Sequence, residues 1–313
     1  ARSPSRARFR RLRVRSAMKP QHQRYPYSAI VDRPSFDWPD GRRVAIYIGV
    51  NHEVFHFGEG LGATLAPSQT EPDVMNYAWR DYGNRVGAWR MFDLFDELDL
   101  KTTALVNAEL VERCPRLVEA CRDRGDEIAA HGMTNAEAQG AMDETAERAM
   151  IERTTQALAS MGARPRGWLG PWISQSEHTP DLLAEAGYDY LLDWAHDDQP
   201  VWFQTRSRPI LSVPYSQEIN NIPAIVARQQ EAEGFATMIE RAVEQLLIDG
   251  RKHPVALGIA LHPYVMGQAH RLPALREVLN RLREKTDEGI WWTTAGQIAE
   301  HYRGIESAND THR

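Results

Sequence analysis

Short apolar runs of strand length alternate with amphipathic helical stretches about seven times along the chain, and this rhythm limits the fold more than any other feature. The runs at 44–50, 102–106, 127–130, 167–170, 190–194, 210–213, 253–261 and 290–292 read as strands. The first, Val-Ala-Ile-Tyr-Ile-Gly-Val, is nearly continuous, as expected of a strand covered on both faces. Between them, Val86, Trp89, Phe92, Phe95 and Leu98 recur every third residue along one helix face. A second helix runs through Phe235, Ile239, Val243 and Leu247 to Gly250, and residues 180–186 form a helix that Gly187 can end in a left-handed turn. Residues 51–82 read as an irregular lid or subunit contact. Parallel strands need crossovers, so the pattern predicts an α/β fold with a parallel sheet, either closed or doubly wound. No glycine-rich phosphate loop follows the first strand, which speaks against a nucleotide-binding sheet.

Charge narrows the partners. The chain carries a net −6, yet residues 1–17 hold seven arginines and no acid. Without them, 30 basic residues face 43 acidic ones, near −13, so the body lacks the basic face that nucleic acid requires. The arginine-rich leader fits an organelle transit peptide or a basic arm, but reads most simply as an unstructured extension upstream of Met18. The expected organisation is a basic, irregular extension over 1–34, a single catalytic domain over 35–305 and a tail over 306–313. Cys114 and Cys121 are two helical turns apart, roughly 10 Å, too far for a disulfide. Buried thiols in a reducing, cytoplasmic compartment are expected. No apolar run is long enough for a membrane span, and no membrane partner is expected.

Polar residues fall where strands end. Asn51 and Glu53 follow the first strand, His131 the third and His262 the seventh, and Asp193 sits in the fifth. Any one alone reads as a solvated carboxylate or a core histidine. In parallel β/α folds, however, the C-terminal ends of strands converge on one mouth, so residues from distant strands point to a shared site. Trp168, Trp194 and Trp291 read as core or pocket wall. His52, His56, His178, His196 and His270 read as ordinary loop residues.

At these positions the chain resembles the polysaccharide deacetylase (NodB-homology) superfamily, and most of all the branch of allantoinase and the cyclic imide hydrolases. The resemblance covers about residues 37–302. Its pieces come in order: Val-Asn-His-Glu after the first strand, His-Gly-Met-Thr-Asn after the third, and Gly-Trp-Leu-Gly-Pro after the fourth. Asp-Trp-Ala-His-Asp-Asp-Gln-Pro, Val-Pro-Tyr-Ser and Leu-His-Pro follow. It implies a distorted (β/α) barrel of about seven parallel strands rather than a doubly wound sheet.

Departures from the family pattern shape the expected chemistry. Sugar-deacetylating members carry two successive aspartates after the first strand and a His-x-x-x-His pair after the third. Here those positions are Glu53 and Val54, then His131 and Asn135, so one metal ligand of three survives. The family's motif-three arginine is absent unless Arg166 replaces it. The resemblance therefore implies no obligatory metal; the alternative is a divalent ion such as zinc held weakly by His131 and Glu53, with His52 or His56 the nearest further donors. Without a Lewis acid, an activated ring suits the site better than an acetamide. The expected reaction is hydrolysis of a non-peptide carbon–nitrogen bond in a small cyclic amide, imide or ureide. Glu53 is expected as general base, His262 as acid to the leaving nitrogen, and His131 with Asn135 at the carbonyl. Asp193 or Asp198 would orient a histidine. Asn51, Asn135, Trp168, Asp198, Asn220 and Asn221 are the expected substrate contacts, amides being suited to ureides and imides.

Two rivals stand beside this reading: a metal-dependent N-deacetylase of an acetylated sugar or polymer, and a catalytically silent small-molecule-binding protein. Relatives of this kind tend to be homo-oligomers, and one is expected here by resemblance.

Overall fold

A computed structural model describes residues 22–310 apart from 63, 68, 69 and 163, and leaves the side chains of 306–310 undescribed; the arginine-rich leader over 1–17 lies outside the described residues. Among the described residues nine strands form one curled sheet: β1 (Val44–His52), β2 (Thr103–Val106), β3 (Glu127–Ala130), β4 (Gly167–Trp168), β5 (Tyr190–Leu191), β6 (Val201–Phe203), β7 (Ile210–Ser212), β8 (Val255–Leu261) and β9 (Ile290–Thr293). They run in the order β6-β7-β5-β4-β3-β2-β1-β8, with β9 beside β1. Every pairing is parallel except β6 with β7, so eight strands share one direction and the sheet curls into the expected distorted barrel.

The sheet is built around β1. All nine of its residues are buried, which is why it reads as one apolar run. Along one edge it pairs with β8 from Val44 to Val50. Along the other it pairs first with β9, from Val44 to Tyr47, and then with β2, from Gly49 to His52. Each Val, Ile or Leu withdrawn from water here contributes about 1.5–3 kcal/mol. The seam between β7 and β8 is crossed by residues 213–221. Tyr47 donates to the Pro214 carbonyl (2.7 Å), the Ala260 amide donates to the Ile219 carbonyl (2.9 Å), and Asn220 bridges to Ala260.

Ten α-helices among the described residues accompany the sheet: α1 (Val74–Tyr82), α2 (Ala88–Glu97), α3 (Leu110–Arg113), α4 (Pro115–Arg124), α5 (Glu144–Ala159), α6 (Thr179–Glu185), α7 (Ala232–Asp249), α8 (Pro263–Met266), α9 (Leu272–Glu284) and α10 (Ala295–Asp310). Four features differ from the sequence reading. The segment 51–82 is not wholly irregular, because it ends in α1, which Asp73 caps by accepting from the Asn76 amide. Strand β6 was not anticipated. Helix α10 runs to Asp310, past the boundary expected at 305. Residues 22–34 are irregular but pinned: Arg24 pairs with Asp181 (2.8 Å), Arg33 with Asp197 (2.6 Å), and Tyr25 stacks on His196.

Both cysteines are free thiols, as expected. Cys121 is buried, but Cys114 is only partly so, because it precedes α4 instead of facing inward from it.

Candidate active site

Four parallel strands end within reach of one another, and each delivers a polar residue just beyond its last apolar position: Glu53 past β1, Asn107 past β2, His131 past β3 and His262 past β8. Glu53 is the hub. Its Oε1 accepts from Asn135 Nδ2 (2.8 Å) and lies 3.5 Å from both His131 Nε2 and His262 Nε2. Its Oε2 accepts from the Tyr264 hydroxyl (2.8 Å). The carboxylate is almost entirely withdrawn from solvent, with 5 % of its side chain exposed.

Hydrogen bonding fixes which way these groups point. The Val54 backbone amide donates to Asn107 Oδ1 (2.8 Å), so the Asn107 amide nitrogen must face the other way. That nitrogen donates to the His131 carbonyl and to Asn135 Oδ1 (3.0 Å). The Asn135 nitrogen is thereby turned to Glu53, and the position offers the site an N–H and not a lone pair. The histidines are set in the same way. His131 Nδ1 donates to the Leu169 carbonyl (2.8 Å), and His262 Nδ1 donates to Asn221 Oδ1 (2.7 Å). In their neutral forms both imidazoles therefore present an Nε2 lone pair toward Glu53.

Two lone pairs and a carboxylate repel unless a proton is held among them. Burial pushes the Glu53 carboxyl up, but His262 and His131 outweigh it and hold it well below the ordinary carboxylate range. Glu53 is thus ionised beside both imidazoles. Tyr264 is held far above the usual phenol range, first by burial and then by Glu53, and serves as a fixed neutral donor.

The cavity over this cluster has a volume of about 310 Å³. Glu53, His131, His262, Asn51, Asn135 and Asn220 line it, although the Asn51 amide is committed to the Tyr215 hydroxyl (2.9 Å) and the Leu261 carbonyl (3.2 Å). Four expected residues take other places. Trp168 is fully buried in the core against Tyr188, because β4 turns its ring away from the mouth. Asn221 is also fully buried and acts on His262, not on a substrate. Asp198 is exposed on a different cavity, near the start of β8. Asp193 orients no histidine, since a carbonyl and an amide already do so. It accepts from the Gly170 amide (2.7 Å), and burial raises its carboxyl to about 7. Arg166 does not replace the missing arginine, as it pairs with Asp189 (2.6 Å) and Glu300 (3.5 Å) at the start of β4.

Tyr264, Asn107, Phe55, Trp172 and Gln217 were missed. Asn107 stands just past a strand end and was open to the same argument that picked out His131, and Tyr264 follows His262 by two residues. The others carry no pattern in the sequence. A larger cavity of about 460 Å³ adjoins Glu53 and Phe55 from the α1 side. Its arginines, Arg85 and Arg113, are already paired with Asp81 and Glu109.

Two of the family's three ligand positions do not suit a transition-metal ion: Val54 has no ligand atom and is buried in the core, and Asn135 presents a donor. His131 and His262 both turn Nε2 toward Glu53, whose carboxylate already accepts from Asn135 and Tyr264. His52 is buried with its Nε2 toward the Cys121 sulfur (3.8 Å) and kept neutral by burial, its pKa lowered to about 3. His56 is bound to Glu109 (3.0 Å). Among the described residues no three His, Cys, Asp or Glu side chains are grouped to hold an ion.

Comparison with known proteins gives the following. The family model described as "Polysaccharide deacetylase" matches residues 71–191. A putative polysaccharide deacetylase of Schizosaccharomyces pombe is 27% identical over 300 residues, spanning 84% of this chain and 91% of that protein. Among solved structures, a probable polysaccharide deacetylase from Pseudomonas aeruginosa superposes with a TM-score of 0.79 at 26% identity, covering 89% of this chain and 98% of that one. The Puue allantoinase structure does so with a TM-score of 0.79 at 27% identity, covering 90% and 98%.

Proposed function

Because this chain belongs to the polysaccharide deacetylase (NodB-homology) superfamily and is a hydrolase of carbon–nitrogen bonds other than peptide bonds, we propose that it opens a small cyclic amide, imide or ureide without a metal. The observation that carries this reading is the Asn135 amide, held with its nitrogen toward Glu53 where a ligand atom would have to be. The similarity to a structure named as an allantoinase supports it.

In this reading the work is divided among this chain's own residues. Water adds to the ring carbonyl carbon while Glu53 Oε1 takes its proton. The ring C–N bond breaks as the His262 imidazolium protonates the departing nitrogen, leaving a carboxylic acid on one side and an amine or amide on the other. These two steps reinforce each other: when His262 gives up its proton, the positive charge that weakens Glu53 as a base disappears. The proton on Glu53 then returns to His262 Nε2 across the 3.5 Å gap, resetting the site. His131 Nε2, buried without a hydrogen-bond partner, is an acceptor for the attacking water. The second N–H of Asn135 is left for the developing oxyanion.

The test is a hydrolysis panel on chelator-treated protein: succinimide, hydantoin, a lactam and N-acetylglucosamine oligomers. Ring opening that survives chelation, and that falls roughly 100-fold or more in Glu53→Gln, is expected. N-deacetylation that appears only when zinc is returned would replace this reading with the metal-dependent one.

A further inference from the structure

The lining of the cavity bears on what the ring carries. Besides the catalytic groups it includes Phe55, Trp172, Ile173, Ile222, Pro223 and Ala227, and among the described residues no lysine or arginine lines it. An anionic substituent would meet no lysine or arginine among the lining residues and would lie near the Glu53 carboxylate. A cationic one would find only that carboxylate, which already accepts from Asn135 and Tyr264.

The apolar wall is built, not incidental. Trp172 is 41% exposed, yet its indole N–H donates to the Asn135 carbonyl (2.9 Å), which fixes the ring at the mouth. To place it there the backbone adopts left-handed conformations at two successive residues that are not glycine, Trp172 (φ 62°) and the β-branched Ile173 (φ 54°). Such conformations cost on the order of 1–3 kcal/mol each and persist where the surroundings enforce them. Here Gly170 supplies the enforcement: its amide is held by Asp193, and its carbonyl accepts from the Ile173 amide (2.8 Å). Phe55 meets Trp172 edge to face at 6.3 Å. Gln217 also lines the cavity, and its buried Nε2 lacks a partner, so an uncharged ring carbonyl can be met without any charge.

Resting on the proposed ring opening, we infer that the substrate is an uncharged ring bearing an apolar, flat substituent that lies against Trp172, and that Trp172 determines specificity. The experiment measures kcat/KM for succinimide, phenylsuccinimide and carboxymethylsuccinimide, and for hydantoins with the same substituents. Burial of a phenyl group on this wall is expected to favour the phenyl ring over the bare one by about tenfold to a hundredfold. The carboxymethyl ring is expected to fall below both. In Trp172→Ala the phenyl-to-bare ratio should drop toward one, and in Trp172→Phe, which keeps a ring but loses the N–H, most of the ratio should survive. The ratio is taken within each variant, so a lowered folded fraction cancels. If the rings are opened with no phenyl preference, or the ratio survives Trp172→Ala, the inference is overturned while the reaction stands. If no ring is opened, the reaction itself falls and this inference with it.

Discussion

Asp193 shows how a carboxyl that seems catalytic can instead set the stability of a turn. Its Oδ1 holds the Gly170 amide, while burial raises its carboxyl to about 7. A carboxyl raised on folding favours the protonated protein, so its stabilising contribution is complete below the unfolded value near 3.8 and is lost as pH climbs through about 7. Asp193→Asn keeps the acceptor and removes the ionisation. Its melting temperature should match the wild type near pH 4 and exceed it by about 2 °C or more at pH 8. A difference that stays constant between those pH values would exclude this account. Glu53, His131 and His262 were legible in the sequence because each stands at a strand end, and strand ends in this architecture share a mouth. Asn221 was recognised as a site residue but given the wrong task, since nothing in Asn220-Asn221 tells which amide faces the substrate and which the imidazole. Trp172 was illegible because its place depends on an unfavourable backbone conformation that only the assembled surroundings impose.

Among the elements, the contact between Gly83–Gly87 and α8 is the tightest that bears on the site. The stretch Gly83–Gly87 joins α1 to α2 as a wide turn of π-helix, and the two terminal glycines press on the backbone that carries His262 and Tyr264. A Cβ on Gly87 would stand 2.2 Å from the Pro263 carbonyl oxygen, and one on Gly83 would stand 2.8 Å from the Tyr264 amide nitrogen. Neither neighbour is a flexible side chain that could yield. Gly87→Ala is therefore expected to cost about 1–3 kcal/mol in chemical denaturation and to lower kcat by shifting the Tyr264 donor away from Glu53. An alanine variant with unchanged stability and turnover would show that the helices slide freely. Strands β1, β3 and β8 could be read from their apolar runs. Strand β6 could not, because it has three residues, lies antiparallel at the sheet edge and is only partly buried. Helix α1 was hidden for a related reason: of its nine residues only Asn76 and Arg80 are buried, so no apolar stripe announces it.

At the scale of the whole molecule, the sheet is uneven in how firmly its parts are held. Strand β1 is bonded along both edges by β8, β9 and β2, whereas the turn carrying Trp172 hangs from a few hydrogen bonds at the mouth. Hydrogen exchange should show amides of residues 45–50 opening only with global unfolding, and those of residues 170–174 opening at least tenfold faster. Equal rates in the two regions would contradict this gradient. Among the described residues no helix is long and apolar enough to cross a membrane. The double flanking of β1 has an evolutionary corollary. The carboxylate proposed to perform the cut directly follows the strand expected to come apart last, and the surface inferred to select the molecule belongs to a part expected to open early. A lineage built this way can trade one diet for another by editing the rim, with the cutting edge left as it was.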